Sequence, residues 1–428
     1  MPRDYATLIE EHRVHGSLYV DPDVFADEMD AIFRRGWVFV GHDSEIAAVG
    51  DWVTRRIGRE PVIMVRDRES RVQVLANRCT HRGNALCWQE RGHANAFQCT
   101  YHGWTFGLDG ALKGVPYRAG FDRDRAELGL DRPGQVDVYR GFVFADLSGA
   151  AGPLADHLGA GGRELIDRLC DLAPTGTLRL APEWIGHRIE SNWKMWPESD
   201  NDGYHLDFVH ASMLQSADSY YSDAVAGGDT GESSGASRAV DRGNGHFELD
   251  MRPGYRQELA WLGVGRERVA GYCAALEQRY GRERAERLLW DGPPHALIFP
   301  NLFLGEINLA VIEPVSPGTT VHRHTVVQFD GVDDAFNRRL LRQSEAALGP
   351  ASFIVPDDAV TAERMQTALQ GAQGAPASAW LDVSRGRGRE TITPDGQRSG
   401  HVSDEVTSRA FWRHYRRMME RAPMERKP

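Results

Sequence analysis

The chain lacks most of what would place a protein outside the cell, in a membrane or on nucleic acid. Its 428 residues hold five cysteines, an odd number. Cys87, Cys170 and Cys273 follow no disulfide spacing, so a reducing cytoplasm is the expected location. No apolar run approaches the roughly 20 residues of a membrane span. The opening Met1-Pro2-Arg3-Asp4 is not the pattern of a signal peptide. A formal net charge of -11 leaves no cationic surplus for a polyanion, which argues against nucleic acid as the main partner and suits docking with a more basic redox protein. There are no internal repeats. With 41% hydrophobic residues the chain can bury sizeable cores, and its length points to two domains.

The two remaining cysteines stand in a pattern with histidine. Cys79-Thr80-His81 is followed, after seventeen residues, by Cys99-Thr100-Tyr101-His102. Zinc ribbons usually offer paired C-x-x-C knuckles. Here each short loop supplies one thiolate and one imidazole. That donor set suits a [2Fe-2S] cluster with both cysteines on one iron and both histidines on the other, the ligation of a Rieske centre. A zinc site and a chance grouping are the alternatives.

Around these loops the pattern is of short strands. Pro61–Val65, Val72–Ala76 and Gly141–Ala145 alternate or run apolar, and Trp104–Phe106 with Ala111-Leu112 reads as a hairpin turning at Asp109-Gly110. The expected organisation is a peripheral helical segment over 1–36, an all-β domain over 37–155 and an α+β domain with an antiparallel sheet over 156–428. The first segment holds a helix over Asp21–Arg35, and the linker lies in the Gly- and Ala-rich stretch 149–162. In the last domain Leu180–Trp193, Leu297–Leu304, Ile307–Ile312 and Thr319–Phe329 read as strands. Residues 333–348, 357–371 and 403–420 read as helices. Residues 216–246, rich in Ser, Gly and Asp, read as a long loop or lid.

A second metal site is suggested by Asp202-Gly203-Tyr204-His205 and His210. Two neutral imidazoles and a carboxylate form the facial triad of non-haem iron(II), which keeps open positions for O₂. His205 and His210 are five apart, about 140° on an ideal helix, so shared ligation requires a π-bulge or a broken helix between 202 and 211. By itself H-x₄-H is as consistent with one surface and one core histidine.

Taken together, Cys79–Gly83, Cys99–Trp104, Asn192-Trp193-Lys194, Glu198, Asp202–His205 and His210 resemble the large (alpha) subunit of Rieske non-haem iron aromatic ring-hydroxylating oxygenases. Rieske proteins of membrane complexes carry an extra disulfide-bonded cysteine in each loop. Here Asn84 and Tyr101 fill those places, which favours the oxygenases. The resemblance implies Cys79, His81, Cys99 and His102 as cluster ligands, His205 and His210 as iron ligands, and Asp202 as the bridging carboxylate. It places the third iron ligand where Asp is followed by Glu at five and Gln at eight. Asp358, with Glu363 and Gln366, meets both offsets, and Asp357 is the neighbouring candidate. Either aspartate could instead simply cap a helix.

The same resemblance implies a catalytic domain of helix-grip, START-like type, and electrons that come from NAD(P)H only indirectly, through a reductase and in some systems a ferredoxin. It implies O₂ and an aromatic small molecule as substrates. It also implies a head-to-tail trimer, α3 or α3β3, in which the cluster of one chain serves the iron of its neighbour through His102, Asp202 and His205. The tail around Asp404-Glu405 and Phe411-Trp412 resembles large subunits that pair with a small beta subunit, although Val406, Ala410, Phe411 and Tyr415 equally have the spacing of a helix docking on its own sheet. The motifs are most similar to benzoate- and terephthalate-type dioxygenases, implying cis-dihydroxylation of an aromatic carboxylate, with monohydroxylation or demethylation as alternatives. Pocket candidates by position are Met213, Leu214, Leu297, Asn301 and Leu348, and Arg323 is a candidate carboxylate anchor. A Rieske electron carrier with an inert second domain predicts that His205, His210 and Asp358 bind nothing.

Overall fold

The computed structural model describes residues 3–212, 236–352, 354–372, 379–394 and 396–421. The chain separates into two compact units, Ile32–Leu154 and Met1–Ala31 with Ala155–Pro428.

The unit Ile32–Leu154 is built from three small antiparallel sheets. Val72–Ala76, Glu60–Arg66, Asp51–Ile57 and Arg91–His93 form one, in that order. Gln135–Tyr139, Phe142–Asp146 and Val38–His42 form the second, and Phe97–Gln98, Thr105–Phe106 and Leu112–Gly114 the third. Among the described residues its helical turns are all short 3₁₀ segments. The apolar faces of these strands converge on Ile63, Val65, Leu75, Trp104 and Phe106, and this cluster also contains Cys79 and Cys99.

The other unit is α+β around a ten-stranded antiparallel sheet. Thr319–Phe329, expected as a strand with these bounds, is its longest member and pairs Asn308–Ser316 on one side. On its other side it pairs both Leu178–Leu180 and Ile185–Ile189. The continuous strand expected over Leu180–Trp193 is thus two short ones. Leu297–Leu304 is likewise two, His295–Ile298 and Leu302–Gly305, broken at Phe299-Pro300, because proline has no N–H to give the ladder.

The loop expected over 216–246 needs a correction at its end. Residues 216–235 lie outside the described residues, but Arg238–Gly243 and His246–Asp250 form a hairpin. Its two-residue turn is Asn244-Gly245, both at positive φ, the chemistry a tight hairpin turn demands.

The helices Asp334–Leu348, Ile354–Gly371 and Val406–Met419 stand within a few residues of expectation. The last lays Phe411 against Trp193, Phe247 and Phe299, so its apolar stripe docks on its own unit. The division between the units falls at Leu154 and Ala155, inside the stretch 149–162 expected to hold it, and a helix runs on over Leu154–Asp171, kinked at Gly159, where φ is +58°.

The first thirty-one residues, expected as a peripheral piece, group with the second unit. Tyr5, Leu18, Tyr19, Val24 and Phe25 are buried, and so is Glu28. The helix there is Pro22–Ala31, shorter than the predicted Asp21–Arg35. Glu28 accepts from Lys194 Nζ at 2.5 Å, Trp193 Nε1 at 2.8 Å and the Tyr415 hydroxyl at 2.6 Å. Its carboxylate therefore joins the first helix, the segment before the second metal site, and the last helix. A buried charge needs such complete pairing to be tolerated.

Candidate metal centres

The two Cys-His loops repeat one backbone design. The Cys79 N–H donates to Asn84 O and the Cys99 N–H to Trp104 O, both at 2.8 Å. The Gly83 N–H donates back to Cys79 O and the Gly103 N–H to Cys99 O. Gly83 and Gly103 have φ of +74° and +69°, left-handed values that glycine adopts without penalty. Each loop thereby turns its cysteine and histidine toward the other loop.

His81 and His102 stand with ring centroids 4.5 Å apart, and His81 stacks on Trp104 at 4.8 Å. The Nδ1 atoms of both rings are buried without hydrogen-bond partners. Buried ring nitrogens are normally satisfied, so this pair is left for a bond of another kind. Burial pushes the Cys99 thiol up, but the N–H groups of Tyr101 and His102 and the Cys79 side chain outweigh it, and the thiol lies below its ordinary value. Burial raises Cys79, and the adjoining Cys99 adds to the rise. Asn84 Nδ2 lies 3.7 Å from Cys99 Sγ and 3.3 Å from Thr100 Oγ1. Asn84 thereby ties one loop to the other by hydrogen bonds.

The second centre is assembled from separated segments. His205 precedes a single helical turn, Leu206–Val209, and His210 follows it with φ −100° and ψ 23°. The helix is broken at both histidines, as shared use of residues five apart demands. Their Nε2 atoms are 3.2 Å apart. Asp358 Oδ1 lies 3.5 Å from His205 Nε2 and 3.3 Å from His210 Nε2. Metal bonds of about 2.1 Å at right angles place donors about 3 Å apart, so the three atoms fit one ion. Among the described residues these three are the group whose donor atoms lie within 4.8 Å of one another.

Asp202 Oδ2 is 3.2 Å from His205 Nδ1, the ring nitrogen turned away from the triad. A carboxylate there fixes the tautomer that presents Nε2. Burial acts against a proton on His205, yet Asp202 and Asp358 more than offset it and lift its pKa to about 10 in the metal-free site. Asp358 is held below the ordinary carboxylate range: burial opposes this, and His205 and His210 outweigh it. Asp357 is set back, its Oδ2 3.7 Å from His210 Nδ1.

The rest of the motif holds these pieces in register. Asp358 sits one turn into the helix Ile354–Gly371, not at its cap. Five residues on, Glu363 accepts from the Glu190 N–H, and eight on, Gln366 accepts from the Asn192 N–H. The Asp, Glu, Gln spacing therefore pins the ligand helix to the segment that leads into His205. Glu198 takes hydrogen bonds from Tyr19, Trp412 and Ser408, anchoring the short helix Met195–Ser199.

Of the expected pocket residues, Met213 and Leu214 lie outside the described residues. Leu297 and Asn301 are buried at neighbouring strand ends, and Asn301 O accepts from the Ile312 N–H. Leu348 is half-buried at a helix end. Arg323 does not serve the triad side of the sheet. It pairs Gly186 and Val311, the register opposite in face to His322 and His324, and its guanidinium lies over Trp184. Strand alternation is the reason.

Three residues near the centre escaped the sequence reading. Ser199 Oγ donates to Asp358 Oδ1 at 3.4 Å, Asp200 is buried beside it, and His322 faces Asp200. The alternation His322-x-His324 inside an apolar strand was the available signal.

Comparison with known proteins bears on both centres. Residues 36–129 match the model of the Rieske [2Fe-2S] domain, and residues 176–421 that of the ring hydroxylating alpha subunit catalytic domain. The chain is 30% identical to the anthranilate 1,2-dioxygenase large subunit of Acinetobacter baylyi, over 94% of this chain and 86% of that one. It is also 30% identical to the N,N-dimethyl phenylurea N-demethylase subunit alpha of a Sphingobium strain, over 93% and 89%. The solved naphthalene 1,2-dioxygenase with indole bound in its active site superposes with a TM-score of 0.81 at 27% identity, covering 98% of this chain and 95% of that one.

Proposed function

From the premise that the chain belongs to the Rieske non-haem iron aromatic ring-hydroxylating oxygenases, as a large (alpha) subunit with a [2Fe-2S] cluster and a mononuclear iron, we propose how its residues divide the work and what they act on. Cys79, His81, Cys99 and His102 hold the cluster. His205, His210 and Asp358 hold the iron. The observation that carries this is the convergence of three donor atoms from segments more than a hundred residues apart in the chain.

The iron supplies O₂ activation once electrons reach it; the protein's part is to position, pair and exclude. Asp202 orients His205 and links it to the neighbouring chain's cluster in a trimer, α3 or α3β3, with a reductase or ferredoxin as electron donor. Because the protein would supply only three donors, coordination positions would stay open for O₂.

The reaction we propose is cis-dihydroxylation of an aromatic carboxylate: arene, O₂, two electrons and two protons give a cis-dihydrodiol. The similarity to an anthranilate dioxygenase subunit supports a carboxylate. The equal identity to an N-demethylase subunit favours monooxygenation as the second reading.

Single turnover tests it. The purified protein is reduced, mixed with ¹⁸O₂ and a panel of aromatic acids and neutral arenes, and the products are identified by mass. A dihydrodiol with two labelled oxygens from an aromatic acid is the expected result. A singly labelled phenol or a demethylated product moves the reaction to monooxygenation, and oxidation of neutral arenes alone removes the carboxylate. Asp202→Asn is expected to retain both metals and to slow cluster reoxidation by about 10- to 100-fold. An unchanged rate in rapid mixing sinks the bridging role.

A further inference from the structure

Beside the mononuclear site lies a strip of imidazoles that the triad does not use. His322 and His324 alternate on the strand Thr319–Phe329, and His187 stands opposite His322 on Ile185–Ile189, so all three share one sheet face. The rings of His187 and His324 stack at 5.3 Å, and His322 lies 6.2 Å from His324 and 4.5 Å from Trp196. From the short helix carrying Trp196, Asp200 comes toward them, its Oδ2 3.7 Å from His322 Nε2. Asp200 also interacts with Asp358 across the site, and its peptide oxygen is 2.7 Å from His295 Nε2.

Two of these rings are fully buried, and several polar atoms of the strip are unsatisfied, although His187 is half-buried and its ring also meets the Leu348 backbone. His322 and His324 are each 1% exposed, and neither nitrogen of either ring has a hydrogen-bond partner. The same holds for His187 Nε2 and Asp200 Oδ2, and 3.7 Å is too long for a hydrogen bond between His322 and Asp200. Buried polar atoms are almost always paired, so so many in one place mark a site completed by something else. Unlike the triad, these donors do not approach within 4.8 Å of one another as a group of three.

We infer that His187, His322, His324 and Asp200 form a polar subsite that takes a hydrogen-bond-donating substituent, an aromatic amine or hydroxyl, on the ring to be oxidised. This rests on the arene oxygenase reading above. The unpartnered ring nitrogens and the Asp200 carboxyl oxygen are the groups that an N–H or O–H would meet here. The Asp200 carboxyl oxygen disfavours an anionic group directly against it, whereas an N–H or O–H meets acceptors. A carboxylate on the same ring therefore lies elsewhere, and the strip reads the substituent beside it. Burial holds His324 neutral, its pKa pushed down to about 3.

Anaerobic calorimetry on the iron-loaded protein tests this with ligand pairs that exchange NH₂ for CH₃ at constant size. The pairs are aniline against toluene, and 2-aminobenzoate against 2-methylbenzoate. The amino member of each is expected to bind about tenfold more tightly, the scale of one hydrogen bond to a charged group. Asp200→Ala and His322→Phe are expected to shrink that ratio to within about twofold, with cluster absorbance and iron content unchanged. If Asp200→Ala loses iron, His324→Phe, which removes two ring nitrogens farther from the triad, takes its place. Equal binding within both pairs in the parent protein, the result if the strip holds only water, overturns the subsite, as does a full ratio retained in both variants. An intact ratio with no arene oxidised in single turnover leaves the subsite standing and removes the oxygenase reading instead.

Discussion

The two proposed metal centres of this chain are built in opposite ways. The cluster centre is local: two loops of one backbone design, each closed by a left-handed glycine, bring four donors together within twenty-four residues of chain, from Cys79 to His102. The mononuclear centre is global. Its donors come from a broken helix and from a second helix about 150 residues later, held together by Glu363, Gln366, Glu198 and the buried pair Glu28–Lys194. A local centre depends on its own loop geometry. A global one depends on the packing of the unit around it.

Ligand deletion separates the two most sharply. Cys99→Ala is expected to abolish the cluster and its colour while the second unit retains iron. His205→Ala is expected to remove the mononuclear iron and keep the cluster. Metal and sulfide analysis reads both, and loss of both metals in either variant would mean the centres are not independent.

Next in size is the scaffold of the global site. Lys194→Met leaves Glu28 buried without its cation, which costs about 3–5 kcal/mol. Chemical denaturation should show the drop, and a change under about 1 kcal/mol would mean Tyr415 and Trp193 suffice for Glu28.

Iron loading should depend on pH. Because Asp202 and Asp358 raise His205 to about 10, the metal-free ring is charged at neutral pH and iron must displace a proton. Apparent iron affinity is then expected to rise about tenfold per pH unit as pH increases toward that value. The folding contribution has the opposite sign: a raised histidine stabilises the metal-free fold fully below its unfolded value of about 6.5 and loses that as pH passes about 10. Equilibrium iron binding from pH 6 to pH 9 reads the first, and a flat profile contradicts it.

The smallest effect probes the local design. Gly83→Ala and Gly103→Ala should each cost about 1–2 kcal/mol, the penalty for an L residue in the left-handed region. Gly103→Ala should cost more, since its Cβ meets Pro116 at 3.2 Å, whereas at Gly83 the nearest atom is 4.0 Å away. Thermal loss of cluster absorbance measures the order.

The same contrast explains what could be read in advance. The cluster loops were legible from spacing, because residues close in sequence are close in space. For the triad, the spacing of His205 and His210 demanded an interrupted helix, and the structure has one. The Asp, Glu, Gln offsets led to Asp358 by resemblance, but their physical meaning, a helix pinned to the backbone of 190–192, became visible only in three dimensions. Arg323 failed because sequence places a residue on a strand without saying which face meets the site. The burial of the first thirty-one residues was missed for a similar reason: Glu28 reads as a surface acid until Lys194, Trp193 and Tyr415 are seen around it.

By itself the sequence determined the two-part organisation, the donor types and their order, and the broken helix that two histidines five apart require. These follow from covalent spacing and from the chemistry of thiolate, imidazole and carboxylate. The tertiary structure alone decided how Asp358 is brought to the histidines, which sheet face carries His322 and His324, and how Glu28 could be buried. Each of those depends on elements distant in the chain being brought within hydrogen-bond reach, and that distance is set by packing rather than by sequence separation.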